Sequence, residues 1–241
     1  MTQKKTLLII TDLNPTHETG LGFDLCITTQ QKCHTISVLT GIHSDKPILH
    51  YCLDTYQVLQ QLELLKDCNI CAIRLGLLNF QEIGLLIGQK LQKMFAEVPI
   101  IVDGRALIPN GKKFLDSQKV RKFCQSILKM TLILVIDQEN LPNLATHLCP
   151  NIIETNKQLE KIVQYGCKYL LLISNCDNKA TYSLFHDGKC TRMSLDSITP
   201  MCEQEIATTL SCCIAQGLDP LQSLQRLSIY PDKIQIDELV V

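Results

Sequence analysis

The sequence predicts a three-layer αβα fold around a central, mostly parallel sheet, and three observations carry that reading. Short apolar runs recur along the chain: LLII (7–10), ISVL (36–39), AIRL (72–75), PIIV (99–102), LILV (132–135) and LLLI (170–173). Segments of helical length and amphipathic pattern lie between them, near 19–31, 54–66, 80–95, 116–129, 139–147 and 155–165. The two kinds alternate at roughly thirty-residue intervals, the rhythm of βαβ units whose strands are buried on both faces.

The elements follow in order. MTQKKTLLIITD opens the chain with an apolar run of only four residues before Asp12, which reads as a first strand rather than a signal peptide. Strand and helix then alternate to residue 173. Beyond it, TYSLF (181–185), an Asp187-Gly188 turn and CTRMSL (190–195) read as a β-hairpin. EQEIATTLSCCIAQG (203–217) repeats apolar residues at Ile206, Leu210 and Ile214 and stops at Gly217, which makes it a helix; a second runs from about 219 to 228. With no linker, repeat or low-complexity stretch, residues 1–241 are read as one domain.

Composition narrows the function classes. The formal charge of the 241 residues is −1, there is no Trp, and the basic pairs Lys112-Lys113 and Arg121-Lys122 are isolated, so no nucleic-acid footprint is expected. No apolar stretch approaches a membrane span. Thirteen cysteines without a signal segment point to a reducing cytoplasm, where they would be free and mostly buried. Cys68-x-x-Cys71 is a lone pair without a second at zinc-like spacing; packing competes with a metal or redox role, and no metal site is expected.

In such sheets ligands bind beyond the carboxyl ends of the strands. The loops to inspect are 11–20, 40–47, 76–79, 103–111, 136–140 and 174–178, with the start of the helix at 203. Neither GxxxxGK[ST] nor GxGxxG occurs. Two carboxylates, Glu203 and Glu205, stand in the first turn of that helix, where an anion site would otherwise form. Ordinary favourable placement against the helix dipole also accounts for them. His17 and His43 are loop histidines that could serve as ligands or bases, although such histidines are more often neither.

Five blocks, in order and at matching spacing, resemble the hydroxymethylpyrimidine/phosphomethylpyrimidine kinases of thiamine biosynthesis, within the ribokinase-like superfamily. They are ITDLNPTHETGLGFDL (10–25), VLTGIHSDK (38–46), RLGLL (74–78), PIIVDGRALIPNGKKFL (99–115) and TLSCCIAQGLDPLQSL (209–224). The resemblance implies phosphoryl transfer from ATP with Mg²⁺ to a pyrimidine hydroxymethyl group or its monophosphate. It implies substrate binding at Asp24, Gly22, His43, Asp45, Leu77 and Asp103, and leaves room for a homodimer. Asp24 could equally be a helix N-cap after Gly22. Asp45 falls where the family uses a polar side chain and could accept from an exocyclic amine.

The phosphate machinery departs from the family. Where the family has the anion hole Gly-Thr-Gly-Cys, this chain has Glu205-Ile206-Ala207-Thr208, which puts Ala207 and Thr208 at the catalytic position. Both glycines are lost, and an unassisted Thr hydroxyl is a poor base. Thr-Pro-Asn becomes Ile136-Asp137-Gln138, and Lys-Gly-Gly becomes Ile173-Ser174-Asn175, so Gln138, Ser174 and Asn175 are left to face a nucleotide. A carboxylate about 5 Å from a phosphate charge costs on the order of 3 kcal/mol at an effective dielectric of 20. Two readings therefore stand: a working kinase, or a non-catalytic relative that binds a small molecule or a partner protein.

Overall fold

The computed structural model describes residues 5–16, 18–45, 48–78, 81–108, 117–176, 179–196 and 201–227. His17 and Gly111 lie outside them, as does the side chain of Asp45. The strands are β1 (Thr6–Leu13), β2 (His34–Asp45), β3 (Ile48–Cys52), β4 (Ile70–Leu75), β5 (Ile100–Asp103), β6 (Thr131–Asp137), β7 (Tyr169–Cys176), β8 (Lys179–His186) and β9 (Lys189–Asp196). The helices are α1 (Gly20–Gln30), α2 (Thr55–Glu63), α3 (Gln81–Met94), α4 (Ser117–Leu128), α5 (Leu141–Leu148), α6 (Thr155–Gln164), α7 (Glu203–Ala215) and α8 (Pro220–Leu227).

All nine strands join one sheet in the order β3-β2-β1-β4-β5-β6-β7-β8-β9. From β2 to β7 neighbouring strands are parallel; β3 and the β8–β9 hairpin add antiparallel edges. Asp187 and Gly188 both take positive φ, 47° and 70°, as a tight two-residue hairpin turn demands. The sequence missed β3. Its residues, ILHYC, are too few and too irregular to announce a strand, and its pairing with Gly41–Asp45 is a tertiary event. That pairing also makes His43 a strand residue rather than a loop residue.

Alternation along the strands builds the two cores. Leu8, Ile10, Ile73, Leu75, Val102, Leu134 and Ile136 point to the layer of α2–α6, while Leu7, Ile9, Ala72, Ile101, Ile133 and Val135 point to the opposite layer. That second layer contains α7 and α8, with α1 packed on α7. Apart from the half-exposed Glu205, every residue of α7 from Glu203 to Ala215 is buried, since the sheet, α1 and α8 enclose it.

Two expectations are corrected here. Cys68, Cys190 and Cys202 are exposed and Cys26, Cys33, Cys52 and Cys71 only half-buried, so the described cysteines are free but not mostly buried. Cys33 and Cys71 lie at the margin of the core, packed against it on one side. Helix α1 is capped by Thr19, which places Asp24 inside the helix and removes its reading as an N-cap.

Close packing of α3 on α4 supplies a stability test. A Cβ at Gly84 would stand 2.3 Å from the Phe123 ring. Gly84→Leu is expected to destabilise the fold by about 1–3 kcal/mol, read as a lower urea midpoint at unchanged slope.

Candidate functional site

The chain runs outward from β1 to β2 and β3, then returns to β4 on the other side of β1, so a crevice opens between β1 and β4 at their carboxyl ends. A cavity of about 190 Å³ lies there, lined by Thr11, Asp12, Thr19, Gly20, His43, Arg74, Leu77, Arg105 and Gln204. Asp12 reaches it because the β1–β2 register shifts between Thr11 and Leu13. Such irregularities re-aim a side chain at a strand end.

Behind the cavity is a buried polar network. Arg74, on β4, is fully buried. Its Nη1 lies 3.0 Å from Asp24 Oδ2 and its Nη2 donates to Asp103 Oδ2 at 3.1 Å. Its Nε donates to Thr208 Oγ1 at 2.7 Å, and that hydroxyl lies 2.7 Å from Asp24 Oδ1, to which it donates. Asp103 also accepts from Arg105, from Nε at 3.0 Å and from Nη2 at 2.7 Å. Gln204 joins the network: Nε2 donates to Gly20 O and Asp24 Oδ1, both at 2.8 Å, while Oε1 accepts from Gly20 N and Arg105 Nη2.

Glu203 closes the far side. Its Oε1 accepts from the backbone N–H of Arg105 at 3.0 Å; its Oε2 accepts from the backbone N–H of Asp137 and from Asn140 Nδ2, each at 3.0 Å. Gly104 permits the approach, since a Cβ there would stand 2.8 Å from Glu203 Oε1. A carboxyl group thus occupies donors at the ends of β5 and β6 that could otherwise hold an anion.

The charges in this network do not balance if every acid is ionised, and the titration of each acid follows from its neighbours. Burial alone would raise Asp103, but Arg105 and Arg74 bring it well below the usual carboxylate range. Glu203 moves the other way. Burial, then the charge of Asp103 and the hydrogen bond the two share, push it up to about 8 against the pull of Arg105 and Asn140. Of the two neighbouring acids, Glu203 therefore holds its proton more tightly. Burial also raises Asp12, opposed by His43 and Arg105, and raises Asp24, opposed by Arg74.

The residues expected from sequence are distributed as follows. Asp24, Asp103 and Thr208 meet at Arg74, with Gly22 buried beside them in α1 and Ala207 in the sheet-facing core. His43 and Leu77 line the cavity; Asp24 and Asp103 stand behind its wall, their oxygens already partnered by protein groups. Residues 205–208 lie within α7, which begins at Glu203, and the Ile206 N–H already donates to Cys202 O. Gln138 is exposed and its N–H donates to Ile173 O, while Ser174 and Asn175 belong to β7, paired with Thr181 and Ala180 of β8. Sequence reasoning missed Asp12, Arg105 and Gln204. The RLGLL block (74–78) already carried Arg74, the signal that buried carboxylates must surround it.

An αβα sheet of this strand order, with a crevice at its switch point, is the ribokinase-like architecture. Residues 15–227 match the family model described as phosphomethylpyrimidine kinase, and the chain belongs to that family. The fold is similar to the phosphomethylpyrimidine kinase of Clostridium difficile 630, at 19% identity and TM-score 0.75, covering 95% of this chain and 97% of that one. It is similar to the Bacillus subtilis pyridoxal kinase solved as an ADP complex, at 14% identity and TM-score 0.78, covering 92% and 88%. A third similar structure is the Staphylococcus aureus pyridoxal kinase with AMP-PCP and pyridoxal, at 16% identity and TM-score 0.75, covering 92% and 84%. Among curated proteins no sequence matches.

Two measurements check the network. Arg74→Met leaves Asp24 and Asp103 buried without their shared cation and is expected to cost about 3–5 kcal/mol of stability, read by urea unfolding. The raised Glu203 sets a pH slope. Folding binds a proton that the unfolded chain releases near 4.5, so Glu203's stabilisation is complete below that pH and is lost as pH rises to about 8. Unfolding midpoints should fall across that window, and Glu203→Gln should flatten the fall.

Proposed function

We propose that the chain is a non-catalytic member of its vitamin-kinase family, one that binds a small polar ring compound in the crevice between β1 and β4 and transfers no phosphoryl group. The observation that carries this reading is the Glu203 carboxyl seated on the Arg105 and Asp137 backbone N–H groups. Phosphoryl transfer depends almost wholly on positioned donors and charge stabilisation. Here those donors are spent on the protein's own side chain, and the helix expected to offer free N–H groups at 205–208 begins at Glu203, so that from Ile206 onward those groups enter its own ladder.

ATP and Mg²⁺ do not fit the residues present. Gln138, Ser174 and Asn175 supply no cation, and the last two are committed to the strand ladder. A cavity of about 190 Å³ also falls below the roughly 300–1,000 Å³ of drug-sized pockets, and so suits one small ring rather than a nucleotide. Free cysteines fit a reducing cytoplasm, and no described helix is long and apolar enough to cross a membrane.

The second reading, a working hydroxymethylpyrimidine or phosphomethylpyrimidine kinase of the thiamine pathway, draws on the family match and on the retained Asp24 and Asp103. Phosphorylation of hydroxymethylpyrimidine by ATP–Mg²⁺ decides between them. The expected result is turnover at least about a thousandfold below an active relative, the scale on which removal of charge-stabilising donors acts, with no saturable ATP binding at millimolar concentration. Robust turnover establishes the second reading.

A further inference from the structure

Two thiols meet where the end of α1 packs on α7. Helix α1 closes in a Schellman turn: the N–H of Lys32 donates to Thr29 O at 3.0 Å and that of Cys33 to Thr28 O at 2.9 Å. Lys32 takes the left-handed φ of 52° that such a turn needs. Cys33 is thereby fixed at the exit of the turn, half-exposed, with its inner side against the core that contains Cys212. It directly precedes β2, at the amino ends of the parallel strands and so opposite the crevice. A further bond locks this turn to α7, since Gln216 Nε2 donates to Gln31 O at 2.9 Å. Cys212 lies one helical turn before Gln216, on the same face, and is fully buried.

The Cys212 thiol donates to the Cys33 sulfur. That hydrogen bond lowers the pKa of Cys33 against the effect of burial, and a backbone hydrogen bond from Leu7 adds to it. The same bond raises Cys212, and burial and the charges of Cys33, Cys213 and Asp24 raise it further. The half-exposed member of the pair gives up its proton first, while the buried member holds its own. An attacking cysteine backed by a resolving one has this division of roles. Exposure alone would single out Cys68 and Cys190 instead.

We propose that Cys33 and Cys212 form a peroxide-responsive thiol pair, in which hydrogen peroxide oxidises Cys33 and Cys212 resolves the product as a disulfide between the α1–β2 turn and α7. The Cys33 thiolate attacks one peroxide oxygen, the O–O bond breaks, and the departing hydroxide takes up the proton that Cys33 released. Cys33 is then a sulfenic acid, oxidised by two electrons. The Cys212 sulfur attacks it, and the S–S bond forms as the S–O bond breaks. The Cys212 proton leaves with the hydroxide as a second water. Two thiols and one peroxide give one disulfide and two waters. In a reducing compartment such a bond is transient and acts as a sensor. Because α7 also carries Glu203, Gln204 and Thr208, the bond ties the helix of the polar network to a turn at the opposite end of the sheet.

Treatment of the reduced full chain with one equivalent of hydrogen peroxide, followed by peptide mapping without reductant, tests this. The expected first product is a Cys33–Cys212 disulfide that dithiothreitol reverses. Its urea midpoint should lie above that of the reduced protein, because the cross-link restricts the unfolded chain. In Cys33→Ser the bridge and the midpoint shift are both lost. In Cys212→Ser the oxidation stops at the Cys33 sulfenic acid, which dimedone captures. Should Cys212→Ser fail to fold, the map of the unaltered chain and Cys33→Ser, changed at a half-exposed position, still decide. First oxidation at Cys68 or Cys190, a Cys68–Cys71 bridge, or bridging of Cys33 to Cys213 overturns the pair. So does a chain left unoxidised, or a Cys33 sulfenic acid that persists in the unaltered protein.

Discussion

The structure depends on one buried guanidinium. Arg74 enters from the middle of the sheet and touches Asp24 on α1, Asp103 at the end of β5 and Thr208 on α7, so a single side chain ties both central strands to the two helices that cover them. A charge so fully removed from water is tolerable only with its partners in place, and each partner in turn needs the cation. Arg suits the position better than Lys, because its planar fork reaches two carboxylates and a hydroxyl at fixed angles. The elements around it are therefore held in register by electrostatics as well as by packing.

From that centre the chemistry of the crevice follows. Two guanidinium groups face four acids: Asp12, Asp24, Asp103 and Glu203. Asp103, paired with both guanidinium groups, gives up its proton the more readily; Glu203, beside it, holds its own more tightly. The result resembles an anion site that the protein has filled from within. The first turn of α7 places Glu203 on backbone donors at the ends of β5 and β6 and Gln204 on Gly20, and Gly104 leaves room for the carboxyl to seat.

The open part of the crevice lies to one side of this filled region, toward β1 and β2. Its walls are polar where Asp12, His43 and Thr11 meet and apolar at Leu77. Such a mixture suits recognition of a small ring by a few directed contacts. The family relation supplies the architecture, while the side chains that differ from it set what the architecture can now hold.

Much of the fold was legible in the sequence because burial on both faces of a parallel strand forces unbroken apolar runs, and those runs survive any detail of the site. Every such run became a strand, and helix limits fell within a few residues of the amphipathic segments. Strand β3 was not legible, because five mixed residues become a strand only when β2 offers an edge. The loss of the glycine-rich motif and the acids at 203 and 205 were also visible as letters. What they do was decided only in three dimensions. Glu203 reaches across 66 residues of chain to Asp137 and 98 to Arg105, and Gln204 across 184 to Gly20. Hydrogen bonds at such separations leave no local periodicity, since they depend on which strand ends the topology brings together. Local pattern determined the layers of this protein; the meeting of β1, β4, β5 and α7 determined which carboxyl groups are paired, which holds its proton more tightly, and which is left facing the cavity.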